Sequence, residues 1–168
     1  MNTTADVLAA DLIRLIDGRI YIRVACARDP SRAVRYQVDA PAASVETHWP
    51  GQYRVAASNG LVELAVVAGE GTLATDLGAV TVRAGERAVA QEGQAPSHPQ
   101  YFNSARWDAF DRWSAVRRDD RIGTTSSQYL PSELQVYGST FDRYGSWRTE
   151  PDVGNVWVPT VEADWRPY

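Results

Sequence analysis

The chain has 168 residues, 44% hydrophobic and 23% charged, with a net charge of −4 and a pI near 5.2. That describes one ordinary soluble globular domain, or a small domain with an appendage. The acidic balance lends no support to nucleic-acid or anionic-membrane binding. All 17 cationic residues are arginine. Cys26 is the single cysteine, which excludes an internal disulfide, a thiolate metal site and a redox pair.

The first twenty residues hold no basic segment leading into an apolar run, and no stretch of about 20 apolar residues occurs. Taken literally the chain is cytosolic, although so abrupt a start also suits a domain cut from a longer protein. Met1 to Ala10 reads as a helical turn or a frayed end. Leu12 to Ile16 is expected to be a strand, Asp17-Gly18 a turn, and Arg19 to Cys26 a second strand. Ile20, Ile22, Val24 and Cys26 share one face of it, so Cys26 reads as a small buried hydrophobe. Arg28-Asp29-Pro30-Ser31 has loop chemistry. Strands are expected at Ala33 to Asp39 and Ala43 to Trp49, separated by Ala40-Pro41, and Pro50-Gly51 turns the chain again.

The strongest local signal is Gln52 to Val67, two alternating runs joined by Asn59-Gly60. That dipeptide tolerates the two positive φ values of a type I′ turn. Folding about it sets Ala57 opposite Val62, Val55 opposite Leu64 and Tyr53 opposite Val66, all on one face. Arg54, Ala56, Ser58, Glu63 and Ala65 fall on the other, with Arg54 and Glu63 diagonal to each other as a weak ion pair. A one-residue slip would turn the apolar set to water, so the hairpin sets its own register.

Beyond it, Val66-x-Ala68-Gly69-Glu70-x-x-Leu73-Ala74 is echoed 16 residues later by Val82-x-Ala84-Gly85-Glu86-x-x-Val89-Ala90. Short strands punctuated by glycine turns point to a mainly β fold: a roll, a sandwich or a solenoid-like stack. Residues 1–93 form the expected β domain and 94–103 a linker. Residues 104–168 are expected to form a helix plus an aromatic-rich segment packing on the β domain. After Gln100 lie five of the six tryptophans, all three phenylalanines and five of the eight tyrosines. Ser104 is a candidate cap for a helix running to about Ile122. Trp107, Phe110 and Ser114 form its apolar stripe and Trp113 and Val116 widen it, while Asp108, Asp111, Arg112, Arg117 and Arg118 face water. Of the remaining tail only Asn155 to Val161 reads as a strand.

No coherent catalytic set emerges. His48 sits in a strand and His98 in the proline-rich linker, neither with a second ligand at metal spacing. Ser126 and Ser127 lack a nucleophile-elbow setting, and no phosphate-binding glycine loop is present. Glu150, Asp152, Glu162 and Asp164 lie among Trp147, Trp157 and Trp165, an acid-and-indole mixture of the kind glycosidases use, but composition does not establish the separation such a pair needs. No cofactor or metal is implied. The rings either pack together or stay open to stack on a glycan, a peptide or a partner's strand. Trp147, Trp157, Trp165 and Tyr168 are the candidate interaction surface, with Trp165 and Tyr168 the most open.

The runs GRIYIRV (18–24), RAVRYQVDAPAASVETHWPGQYRVA (32–56) and GEGTLATDLGAVTVRAGERAVAQEG (69–93) resemble the FecR-like domain of bacterial envelope proteins. The tail AFDRW, YG-x-W, G-x-VW-x-P-x-V and W-x-PY (109–168) is similar to an aromatic module of unknown function found after such domains. This resemblance implies a non-enzymatic, periplasmic, mostly β protein whose partner is another envelope protein or a glycan. The best-known relatives couple an outer-membrane receptor to a sigma factor, yet no anti-sigma segment or receptor-docking domain is recognisable here. Three functions therefore stand side by side: an interaction or scaffold module, a signalling regulator, and a peptidoglycan binder or carbohydrate-active fragment. The resemblance also implies sequence upstream of Met1 and beyond Tyr168.

Overall fold

The computed structural model describes residues 2–24, 35–48, 50–106, 108–122, 125–131 and 134–161. Cys26, Trp49, Trp107, Trp165 and Tyr168, and the expectations attached to them, lie outside these residues. The chain forms two compact units, Met1–Arg106 and Trp107–Tyr168.

The first unit is one curled sheet. Its strands are β1 (Thr4–Val7), β2 (Leu12–Val24), β3 (Gln37–Ala40), β4 (Ala43–Thr47), β5 (Gly51–Ser58), β6 (Leu61–Ala68), β7 (Glu70–Thr75), β8 (Gly78–Arg83), β9 (Glu86–Gln91) and β10 (Gln100–Tyr101). They run in the order β10-β9-β6-β5-β2-β3-β4-β7-β8, with β1 attached to β2. Only β2–β3 is parallel among the described pairs. The sheet curls into a half-barrel that brings β8 alongside β9, and its concave face holds the core. The expected mainly β character holds, and the sheet takes the form of a curled half-barrel.

The central hairpin has the register its sequence demands. Ala57 pairs with Val62, Val55 with Leu64 and Tyr53 with Val66, and all six are buried. Asn59 and Gly60 take φ of 51° and 75°, as a type I′ turn requires. On the opposite face, Glu63 meets Arg87 of β9 at 3.3 Å. The Arg54 guanidinium lies 5.6 Å from the centroid of Phe102, a partner that sequence spacing gave no means of seeing.

Asp17-Gly18 is not a turn. β2 runs unbroken through it, pairing through Ile13 to Asp17 with β1 and from Gly18 onward with β5. Gly18 at φ 103° supplies a kink inside the strand, which only glycine accommodates cheaply. Its packing leaves no room for a side chain either: a Cβ there would sit 2.6 Å from the Thr3 backbone. The Thr3 hydroxyl bridges the kink, donating to the Arg19 carbonyl and accepting from the Arg19 N–H, each at 3.2 Å.

The echoed segments share a backbone conformation but not a packing role. Gly69 (φ 91°) and Gly85 (φ 83°) both turn the chain in the left-handed region. Beneath Gly69 the fully buried Tyr53 donates its phenol to the Glu70 carbonyl at 3.0 Å. A Cβ on Gly69 would lie 2.6 Å from that hydroxyl, whereas one on Gly85 would meet nothing within 4 Å.

These contrasts set two measurable outcomes. Gly85→Ala is expected to cost only the positive-φ penalty, about 1–2 kcal/mol. Gly69→Ala adds overlap with an immovable buried ring and is expected to cost about 3 kcal/mol or more. Urea unfolding followed by far-UV circular dichroism checks both, and equal midpoints for the two variants would refute the difference in packing. Tyr53→Phe removes one hydrogen bond to the half-buried Glu70 carbonyl, which keeps its bond from the His48 N–H, and is expected to cost about 1 kcal/mol in the same assay.

Candidate functional site

The second unit contains α1 (Ala109–Ile122), 3-10 turns at Ser126–Gln128 and Gln135–Tyr137, α2 (Gly138–Tyr144), and a hairpin of β11 (Gly145–Glu150) and β12 (Gly154–Pro159). The tail is thus more regular than its glycines and prolines imply: α2 and β11 were not legible beforehand. A two-stranded hairpin is marginal alone, and this one is held by aromatic packing on one face.

Trp147 and Trp157 stand opposite each other across β11–β12. Phe141 of α2 packs edge-on against Trp157 at 5.0 Å and lies 6.4 Å from Trp147, while Tyr129 stacks on Trp147 at 4.8 Å. Both indole N–H groups are used internally. Trp157 donates to the Phe141 carbonyl at 3.1 Å, and Trp147 donates to the Ser126 hydroxyl at 2.8 Å. Both rings are half-buried. The close approach depends on Gly145, where a Cβ would fall 2.5 Å from the Trp157 ring.

Ser126 is the polar centre of this cluster and is fully buried. Its hydroxyl donates to Asp142 Oδ1 at 2.5 Å while accepting from Trp147, and its N–H donates to the same carboxylate oxygen at 2.8 Å. The Thr125 N–H adds a bond to Asp142 Oδ2 at 3.2 Å. One carboxylate on α2 therefore gathers the amides of a 3-10 turn, and one hydroxyl ties that turn to β11. The arrangement joins a serine to an acid, but the hydroxyl proton is committed and no substrate can reach a group with no exposure. It is a structural staple in which the buried serine hydroxyl is satisfied both as donor and as acceptor.

The other chemistry-bearing side chains have similarly local duties. His48 shares a 2.8 Å hydrogen bond with Thr72 across the first unit's sheet. The His98 carbonyl accepts from Ser97 at 3.3 Å, and His98 is exposed. Glu150 and Asp152 sit exposed at the tip of the hairpin, and Glu162 and Asp164 lie outside the described residues. Among the described residues no three metal-ligating side chains gather into a site.

Helix α1 departs from expectation at its start and on its faces. Ser104 does not cap it, since the preceding turn is organised by Asn103, which accepts from Ala105 and Arg106. Asp108 caps it instead: the Asp111 N–H donates to Asp108 Oδ1 at 2.9 Å and the Asp108 N–H to Asp111 Oδ2 at 2.8 Å. This is a capping box with aspartate at both positions, and closing it buries Asp111, an acid assigned to water by its charge. The inward face is then Phe110, Asp111, Ser114 and Ala115, and α1 packs against α2 and the Gln135–Tyr137 turn. Trp113 and Val116, read as widening the buried stripe, stand 53% and 61% exposed. Arg117 lies over the Trp113 ring at 4.9 Å, and Phe110 stacks on it at 5.7 Å. Tyr137 and Tyr144, at the two ends of α2, are 55% and 57% exposed.

Two substitutions test this architecture. Ser126→Ala leaves the half-buried Trp147 indole N–H without its acceptor and removes one of the three bonds to Asp142, and it is expected to cost about 1–2 kcal/mol, seen as a lower urea midpoint in tryptophan fluorescence. A fluorophosphonate is expected to leave Ser126 unlabelled in the folded protein; labelling would contradict the staple. Asp108→Ala removes the cap and is expected to cost about 1 kcal/mol.

No family model matches the chain, and no curated protein matches it. Among solved structures, it is similar to two crystal structures of a protein provisionally designated an anti-sigma factor from Parabacteroides distasonis. In the first the identity is 10%, the TM-score 0.45, and the match covers 92% of this chain and 84% of that one. In the second the identity is 11%, the TM-score again 0.45, and the match covers 96% of this chain and 89% of the other.

Proposed function

We propose that this chain is a non-catalytic protein-interaction module of the bacterial cell envelope, acting on the periplasmic side. The observation that carries the reading is the division of labour in the second unit. Its serine, its central carboxylate and two of its indoles are spent on internal bonds. Trp113, Tyr137 and Tyr144 meanwhile offer more than half of their surface to solvent. Exposed tryptophan and tyrosine beside arginine are the side chains that most often anchor protein partners. The FecR-like strand pattern of residues 18–93 supports the envelope placement, and no helix among the described residues is long and apolar enough to cross a membrane.

The experiment is photo-crosslinking in the native cell, with a benzophenone amino acid replacing Tyr137 or Tyr144 in the full-length gene. A discrete protein adduct in the envelope fraction is the expected result, and its identity decides how far the reading extends. A sigma factor or outer-membrane receptor would make the chain a signalling regulator. Adducts confined to cytoplasmic proteins would overturn the placement. Soluble peptidoglycan fragments are expected to leave the tryptophan emission unchanged; a saturable shift, with no protein adduct, would favour the glycan reading instead.

A further inference from the structure

We propose that the outer edge of β1 is a docking site for an extended segment of a partner protein, one that alternates basic and apolar residues and joins the sheet as a further strand. The surface lies in the first unit and owes nothing to the exposed rings of the second. It rests on the interaction-module reading only in taking the occupant to be a protein.

Among the described strands β1 pairs with β2 alone, along one side. The Leu8 N–H donates to the Leu12 carbonyl at 2.9 Å, which sets the phase of the antiparallel ladder. Asp6 therefore turns its backbone groups towards β2, while Ala5 and Val7 turn theirs outward. All four residues of β1 are exposed. An open row of N–H and C=O groups is a template for another strand. Edges protected against pairing commonly carry a proline or a cation, and Thr4–Val7 (TADV) has neither.

The side chains select the strand that fits. Directly paired residues share a face, so Ala5 and Val7 continue the apolar row of Leu15 and Ile13. Leu15 is fully buried and Ile13 packs on the core. That row runs off the edge at Val7, which is 79% exposed. On the other face Asp6 pairs with Arg14, and Arg14 pairs on its far side with Asp39 of β3. Charge thus alternates across three strands as acid, arginine, acid, and one cation lies between two carboxylates. Asp17, opposite Thr4, adds another exposed acid. The next cation along β2, Arg19, lies past the end of β1, level with Thr3. A Lys or Arg opposite Asp6, with Val, Ile or Leu on each side of it, extends both rows by one strand. An acidic strand meets like charge there. A second copy of this chain meets it too: with Ala5 opposite Val7 across a two-fold axis, the two Asp6 carboxylates face each other directly.

The test uses the full chain labelled with nitrogen-15 and three ten-residue peptides. One alternates Val and Lys, the second has Glu for every Lys, and the third is the first with its Val nitrogens methylated, which deletes the donors facing β1. The lysine peptide is expected to slow hydrogen exchange at the Ala5 and Val7 amides at least tenfold, because those N–H groups gain acceptors. It is also expected to bind at least tenfold more tightly than either control. Raising sodium chloride from 50 to 500 mM should weaken it severalfold, because exposed charge pairs are screened. Asp6→Lys should transfer preference to the glutamate peptide. Val7→Pro removes an outward N–H without touching the ladder to β2 and should weaken binding about tenfold. Val7→Thr keeps that N–H and should change binding less than threefold; unaltered β2 amide resonances confirm that β1 stays in place in each variant. Equal binding of the lysine and glutamate peptides, binding without protection of Ala5 and Val7, or no binding at 1 mM peptide overturns the proposal. So does self-association in sedimentation that protects the same two amides with no peptide present, since the edge then belongs to a second copy. Native crosslinks at Tyr137 and Tyr144 separate this edge from the broader function. If they form while the peptide result fails, the β1 edge falls and the interaction module stands.

Discussion

The bond from the Tyr53 phenol to the Glu70 carbonyl is the constraint around which the first unit is arranged. Tyr53 belongs to the central hairpin, and Glu70 opens the strand on the far side of the Gly69 corner. A fully buried tyrosine needs a partner for its hydroxyl, and here a carbonyl is brought within reach by a sharp corner. That corner exists because Gly69 adopts a positive φ and because no side chain at Gly51, Gly69 or Gly71 occupies the space beside the ring. β6 can then hand the chain to β7 at the opposite end of the sheet. The half-barrel follows from this hand-over as much as from the twist intrinsic to strands.

The second unit answers a different problem with a related device. It has two short helices and a two-stranded hairpin, none of which buries enough surface to persist alone. Ser126 and Asp142 join the elements by polar bonds, and Phe141, Trp147 and Trp157 close over them. A buried serine whose hydroxyl is fully satisfied gives directionality that apolar packing lacks. It also accounts for why a unit so rich in aromatic residues still has exposed rings to offer. The glycine at position 145 lets the Trp157 ring lie against the backbone, and Leu130 is buried in the same unit.

The candidate surface was only partly legible. Composition drew attention to Trp147 and Trp157, yet both have their N–H groups turned inward. Trp113 was assigned to the buried stripe of α1 because large apolar residues at helical spacing usually mark the inward face. The inward face was in fact selected by Asp111, whose carboxylate closes the capping box. A backbone amide four residues from Ser104 outweighed the hydrophobic count, and it rotated the expected stripe by a fraction of a turn. The signal that could have found it was Asp108-x-x-Asp111 itself, a capping box written with two acids.

By itself the sequence determined the central hairpin, its register and its turn, because period-two alternation and an Asn-Gly corner leave one arrangement that keeps six apolar side chains dry. It also determined the mainly β character of the first ninety residues, since repeated alternation with glycine corners has no helical equivalent. Tertiary structure alone decided that Gly18 bends a continuous strand rather than ending it, that Gly69 is packed while its echo Gly85 is open, and that Ser126 is a staple. Each of these depends on what lies opposite in space: Thr3, Tyr53 and Asp142 are 15, 16 and 16 residues away from their counterparts. Local propensity sees only a few neighbours along the chain, so a glycine that turns and a glycine that makes room for a ring look alike until the sheet is closed.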